Sequence, residues 1–180
     1  MSKKSVFCIA TSRDQAENIV DRLKDAGFYN DSISVLFPDR TTTHDFAHEK
    51  NTKAPEGGLT GAGTGGILGG TLGWLAGIGA LAIPGAGPFV AAGPIAAALS
   101  GAAVGAAVGG IAGVLIGMGI PEYEAKRYEG KIKNGNVLLS VHTEDRLEAD
   151  AAKEIFTREH AQDIAIAGEA GAEQTKQKAW

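Results

Sequence analysis

The sequence predicts an α+β chain in which two β-α-β units are separated by a Gly/Ala-rich helical hairpin. Three observations predict it. A strand-helix-strand pattern runs from Ser5 to Phe37 and recurs from Val137 to Ala167. Residues 57–120, between the two, contain no Asp, Glu, Lys, Arg or His. Inside that block glycines recur every fourth residue.

Ser5-Val6-Phe7-Cys8-Ile9-Ala10 is short, apolar and β-prone, the pattern of a buried strand. Ser12 is a good helix N-cap, with Gln15 at the capping-box position. Ala16, Ile19, Val20, Leu23 and Ala26 follow at helical spacing, and Gly27 ends the helix. Ile33-Ser34-Val35-Leu36-Phe37 is a second strand, stopped by Pro38. Residues 39–56 are polar and aperiodic, a linker. After the apolar block, Pro121-Glu122 opens a short charged helix with Tyr123, Tyr128 and Ile132 as its less polar positions. Asn134-Gly135 signals a turn. Val137-Leu138-Leu139-Ser140-Val141 is the next strand. Asp145 can cap a helix with Glu148 three residues on, and Leu147, Ala151, Ile155 and Phe156 form its apolar face. Ile164-Ala165-Ile166-Ala167 is the last strand.

With the insertion removed, the order is β-α-β, β-α-β. That is a ferredoxin-like arrangement, with both helices on one face of a four-stranded sheet. The expected organisation is residues 1–38 and 121–168 as two halves of one domain. Residues 57–120 are the inserted hairpin, and 169–180 a tail. Neither half alone could bury a stable core.

The apolar block divides at Pro84-Gly85-Ala86-Gly87-Pro88. Gly58–Ile83 and Phe89–Ile120 each exceed the roughly 20 apolar residues that cross a bilayer as a helix. One glycine ribbon is Gly57, Gly61, Gly65, Gly69, Gly73 and Gly77; the other is Gly101, Gly105, Gly109, Gly113 and Gly117. Glycine costs a water-exposed helix about 1 kcal/mol relative to alanine. Where helices pack closely, a groove without side chains lets backbones approach. These glycines are therefore the candidate helix-packing residues. Leu68, Leu72, Leu75, Ile78, Val104, Val108, Ile111 and Leu115, off the stripe, are expected to face lipid or a neighbouring subunit. Lys50 and Lys53 precede the block, and Lys126, Arg127, Lys131 and Lys133 follow it. The positive-inside tendency puts both termini in the cytoplasm of an inner-membrane protein. A soluble homo-oligomer, its hairpins forming a shared hydrophobic core, is the alternative, with a cytoplasmic location.

Several classes of chemistry find little support. The 180-residue chain carries a formal charge of −4 and shows no basic patch for nucleic acid. One cysteine, Cys8, allows no disulfide within the chain. The start of the chain has no apolar h-region of a secretory signal. Gly61-Ala62-Gly63-Thr64-Gly65-Gly66 fits G-x-G-x-x-G, yet a polar linker precedes it and no acid follows until Glu122. His44 and His48, beside Asp45 and Glu49, have metal-compatible spacing in a polar linker with no supporting cluster. His142 and His160 stand alone, and Cys8 reads as a small core residue. The expectation is a non-enzyme with no cofactor and no metal. Its partners are further copies of itself and a lipid bilayer. A ligand-sensing module is a further alternative, by fold analogy alone.

Val6-Phe7, Asp14-Gln15-Ala16-Glu17, Leu23-Lys24-Asp25-Ala26-Gly27-Phe28 and Asp31-Ser32-Ile33-Ser34-Val35-Leu36 together resemble a bacterial general stress protein (heat-induced stress protein) domain family. The phrases Gly119-Ile120-Pro121-Glu122-Tyr123-Glu124-Ala125 and Val137-Leu138-Leu139 extend that resemblance, which covers most of residues 5–142. It implies a stress-associated, non-enzymatic, often membrane-associated protein and supplies no catalytic residues.

Overall fold

The computed structural model describes residues 4–38, 79–83, 87–101 and 103–168. Its elements are β1 (Lys4–Ala10), α1 (Arg13–Asp25), β2 (Ile33–Pro38), β3 (Gly79–Ile83), β4 (Gly87–Ala92) and α2 (Pro94–Gly101). They continue as α3 (Ala103–Gly117), α4 (Glu122–Lys133), β5 (Val137–Thr143), α5 (Arg146–Arg158) and β6 (Gln162–Gly168). The class is α+β. One antiparallel sheet has the order β3-β4-β2-β5-β1-β6.

The two β-α-β units form where their local signals lie. Ser12 Oγ accepts the Gln15 amide at 3.1 Å, and Gln15 Oε1 accepts from the Thr11 amide at 2.8 Å. Asp145 Oδ1 accepts the Glu148 amide at 2.8 Å, while Glu148 Oε2 accepts from the Glu144 amide at 3.0 Å. Each pair satisfies N–H groups that a helix start leaves without partners. β1 lies between β5 and β6, with Phe7 opposite Ser140 on one side and Ala165 on the other.

α1 and α5 cover one face of the sheet. Ile19, Val20 and Leu23 meet Ala149, Ala152 and Phe156 over Val6, Cys8 and Leu139. Leu23 is fully buried there. Leu23→Ala is expected to cost about 2–5 kcal/mol in urea denaturation, from lost burial and a residual cavity. A loss under about 0.5 kcal/mol would mean that this face of α1 is not core. The apolar face expected for α5 is rotated. Phe156 is buried and Ile155 packs partly buried against the core as expected, whereas Leu147 is 80 % exposed and Ala151 is exposed, and the inward stripe is made of Ala149, Ala152 and Phe156. Those three sit at spacings of three and four, as one helix stripe requires. Ala26, expected on the apolar face of α1, is exposed at the helix end, where Gly27 turns away at φ +90°.

The largest departure lies in the insertion. Residues 79–83 and 89–92, expected in two helices, are strand, as are 87–88 of the expected turn. They form a hairpin that adds β4 to the edge of β2, Val35 opposite Ala92 and Phe37 opposite Val90. Ile83 pairs with Gly87, so the chain reverses within the stretch 84–88; residues 84–86 themselves lie outside the described residues. Val90 and Phe89 favour the pleated, half-buried surface that the open edge of β2 offers. Pro88 in turn cannot donate within a helix. The second expected helix is broken as well. Gly110 within α3 is non-helical at φ 58°, ψ −153°, which interrupts it. The linker 39–56, the first expected helix up to Ile78 and the tail 169–180 lie outside the described residues.

Candidate functional site

The alternate residues of the strands make a second apolar face. Phe7 and Ile9 of β1, Leu36 of β2 and Leu138 of β5 point away from α1 and α5. A face of this kind needs a cover, because its apolar area would otherwise meet water. The cover is α2, α3 and α4. Ile95 and Leu99 of α2, Ile111, Val114 and Leu115 of α3, and Tyr128 and Ile132 of α4 complete the cluster. Ile95, Ile111 and Tyr128 are fully buried.

This placement corrects the expectation for two large residues of α3. Ile111 and Leu115, expected to face lipid or another subunit, face the chain's own sheet. Gly117, on the expected packing stripe, is exposed, and a Cβ there would meet nothing within 4 Å. The physical reason is proximity: the uncovered sheet face is the nearest apolar surface, and large side chains gain most by covering it. Gly101 ends α2, and Gly105, Gly109 and Gly113 lie in α3. Gly57, Gly61, Gly65, Gly69, Gly73 and Gly77 fall outside the described residues. So do Leu68, Leu72, Leu75, the G-x-G-x-x-G stretch and His44 and His48. No helix among the described residues is long and apolar enough to cross a membrane.

Polar pins hold the cover in place. The Ile95 amide donates to the buried Ser34 Oγ at 3.1 Å. Gly93, at φ +74°, brings the chain directly over Ile33. Tyr128 donates its hydroxyl to the Asp163 carbonyl at 2.6 Å, tying α4 to β6. The Asp163 carboxylate holds Arg127 at 2.8 Å and Lys131 at 2.5 Å. Beside Ser34 across the ladder, Ser140 is fully buried with its hydroxyl unpaired among the described residues.

Among the described residues, Cys8, His142 and His160 occupy structural positions. Cys8 is buried under α1 and α5, and burial pushes its thiol pKa well above the usual value, so it is a poor nucleophile. His142 Nδ1 shares a hydrogen bond with the buried Ser5 Oγ at 2.9 Å, a cross-strand pair in register. His160 follows α5 at φ 56°. Among the described residues, no group of His, Cys, Asp and Glu could hold a metal ion.

An open groove of about 900 Å³ lies where β5 passes into α5, beside the connection from α1 to β2. Its lining includes Tyr29, Asp31, His142, Glu144, Leu147 and Glu148. Leu147 and Ala151, both expected on the buried face of α5, line it instead, and no sequence signal pointed to the groove. Set against protein-family models, curated proteins and solved structures, the chain finds no match in any of the three.

Proposed function

We propose that this protein is a non-enzymatic structural protein that works by self-association. Its ferredoxin-like domain is β1-α1-β2 and β5-α5-β6, split by the insertion. The observation that carries the proposal is the division of labour inside that insertion. Its second half, through Ile95, Ile111 and Leu115, is committed to the sheet of its own chain. The charge-free ribbon Gly57, Gly61, Gly65, Gly69, Gly73, Gly77 is then the element left to join copies. A soluble homo-oligomer fits this best, because a membrane hairpin would need a second spanning helix. The stress association implied by the family resemblance is compatible with such a scaffold and is part of the proposal.

A bilayer-embedded form is the second reading. It is favoured by the length of the uncharged stretch, which exceeds the roughly 20 residues of one span. Carbonate extraction of cells separates the two. The assembly is expected in the supernatant, with size-exclusion chromatography in plain buffer giving several times the 18.4 kDa chain mass. Retention in the pellet would support the bilayer instead. In either setting Gly69→Leu should reduce the assembled mass, because the side chain holds the ribbons apart. Ile111→Ala should instead loosen the domain by about 2–5 kcal/mol and leave the copy number unchanged. Assembly of Gly69→Leu at the parental mass would remove the ribbon from the interface.

A further inference from the structure

The groove at the end of β5 has a one-sided chemistry. Asp31, Glu144 and Glu148 line it, and among the described residues neither Lys nor Arg does. Two large side chains stand beside those acids in water, Tyr29 and Leu147, each 80 % exposed. Acidic groups next to uncovered apolar surface fit an occupant that carries cations next to an aromatic ring.

The chain contains such a segment. Lys176, Lys178 and Trp180 are spaced by two, so an extended backbone puts both ammonium groups and the indole on one face. The acids of that stretch, Glu169 and Glu173, come earlier and lie apart from the cations. β6 delivers the segment to the right end of the sheet. Gly168 pairs with Lys4, and Lys4 pairs with Thr143, a residue of the groove wall. Two inter-strand steps separate Gly168 from Thr143, about 10 Å. β5 and β6 are both antiparallel to β1 and so end on the same side. A spacer of the eight residues that separate Gly168 from Lys176 would reach about 15 Å if it followed random-coil statistics, enough to span that distance.

We propose that residues 174–180 dock in this groove of their own molecule, the two lysines against Asp31, Glu144 and Glu148 and the Trp180 indole against Tyr29 and Leu147. Docking covers Leu147 and makes the groove unavailable to other basic segments.

Trp180 is the reporter. The chain has two tryptophans, so Trp74→Phe in the full chain leaves Trp180 alone. Its emission should be blue-shifted, and its acrylamide quenching at least about twofold weaker than in the free peptide 169–180, because the ring is covered. Glu144→Gln with Leu147→Ala, both at exposed positions, should restore the quenching of the peptide. Protection should persist on dilution. A second measurement is independent of the tryptophan background. A nitroxide on Ala179→Cys, with Cys8 buried and unlabelled, should broaden the amide signals of Leu147 and Glu148. Quenching equal to the free peptide overturns the proposal. Protection that survives the groove substitutions also overturns it, because the indole is then covered elsewhere. Protection lost on dilution makes a second copy the occupant.

Discussion

Gly93→Ala is expected to destabilise the protein by about 3–5 kcal/mol, among the largest effects of any single methyl group in the chain. Gly93 stands between β4 and α2 at φ +74°, a conformation that costs a residue with a Cβ roughly 1–2 kcal/mol. The methyl group also has nowhere to go. It would lie 2.1 Å from the Ile33 carbonyl oxygen and 3.0 Å from Ser34 Cα, both backbone atoms. β2 cannot retreat, because β4 and β5 pair with it on either side. Relief therefore requires α2 to lift, which breaks the Ile95 amide bond to Ser34 and uncovers Ile95 and Leu99. Gly117→Ala is the matched control. Nothing lies within 4 Å of the added methyl, and helix propensity favours alanine by up to about 1 kcal/mol. Urea denaturation should show a large loss in the first variant and none in the second. Equal midpoints for Gly93→Ala and the parent would mean that α2 does not sit on β2.

The contrast between these two glycines explains what could be read from the sequence. The β-α-β halves were legible because their signals are local. Ser12 with Gln15 and Asp145 with Glu148 announce helix starts, and Ala16, Ile19, Val20 and Leu23 keep a clean helical period. The insertion has no such contrast. Apolar residues at nearly every position satisfy a helix and a strand equally well. What decides between them is the partner, and the partner is distant in sequence. The open edge of β2 makes residues 87–92 a strand, and the second sheet face makes 94–117 a cover. One signal was present. Val6 to Ala10 is apolar at every position, whereas a strand covered on one face alternates. Phe7 and Ile9 already required a second layer. The glycine period gave no indication of which chain would supply the contact.

Tyr128→Ala is the second large effect, about 3–5 kcal/mol, and Tyr128→Phe separates its polar and apolar parts. The ring is fully buried between α4 and the sheet. Its hydroxyl donates to the Asp163 carbonyl, on a residue held at φ 50° at the start of β6. Phenylalanine keeps the ring and leaves that carbonyl without its donor, a cost of about 1 kcal/mol near neutral pH. The same pair gives a pH signature. Burial, then the nearby Glu124 and Asp163 carboxylates, push the Tyr128 phenol above its ordinary range. The unfolded chain releases this proton near pH 10, while the folded chain retains it. Its contribution is therefore complete below pH 10 and is lost as pH rises above it, by up to about 1.4 kcal/mol per pH unit. The buried Cys8 thiol, raised by the same cause, starts a separate decline from about pH 9. Tyr128→Phe should keep the cysteine's decline and lack the tyrosine's. Denaturation midpoints between pH 8 and pH 11 test this directly. Parallel curves for Tyr128→Phe and the parent above pH 10 would place the phenol in water, and α4 off the sheet.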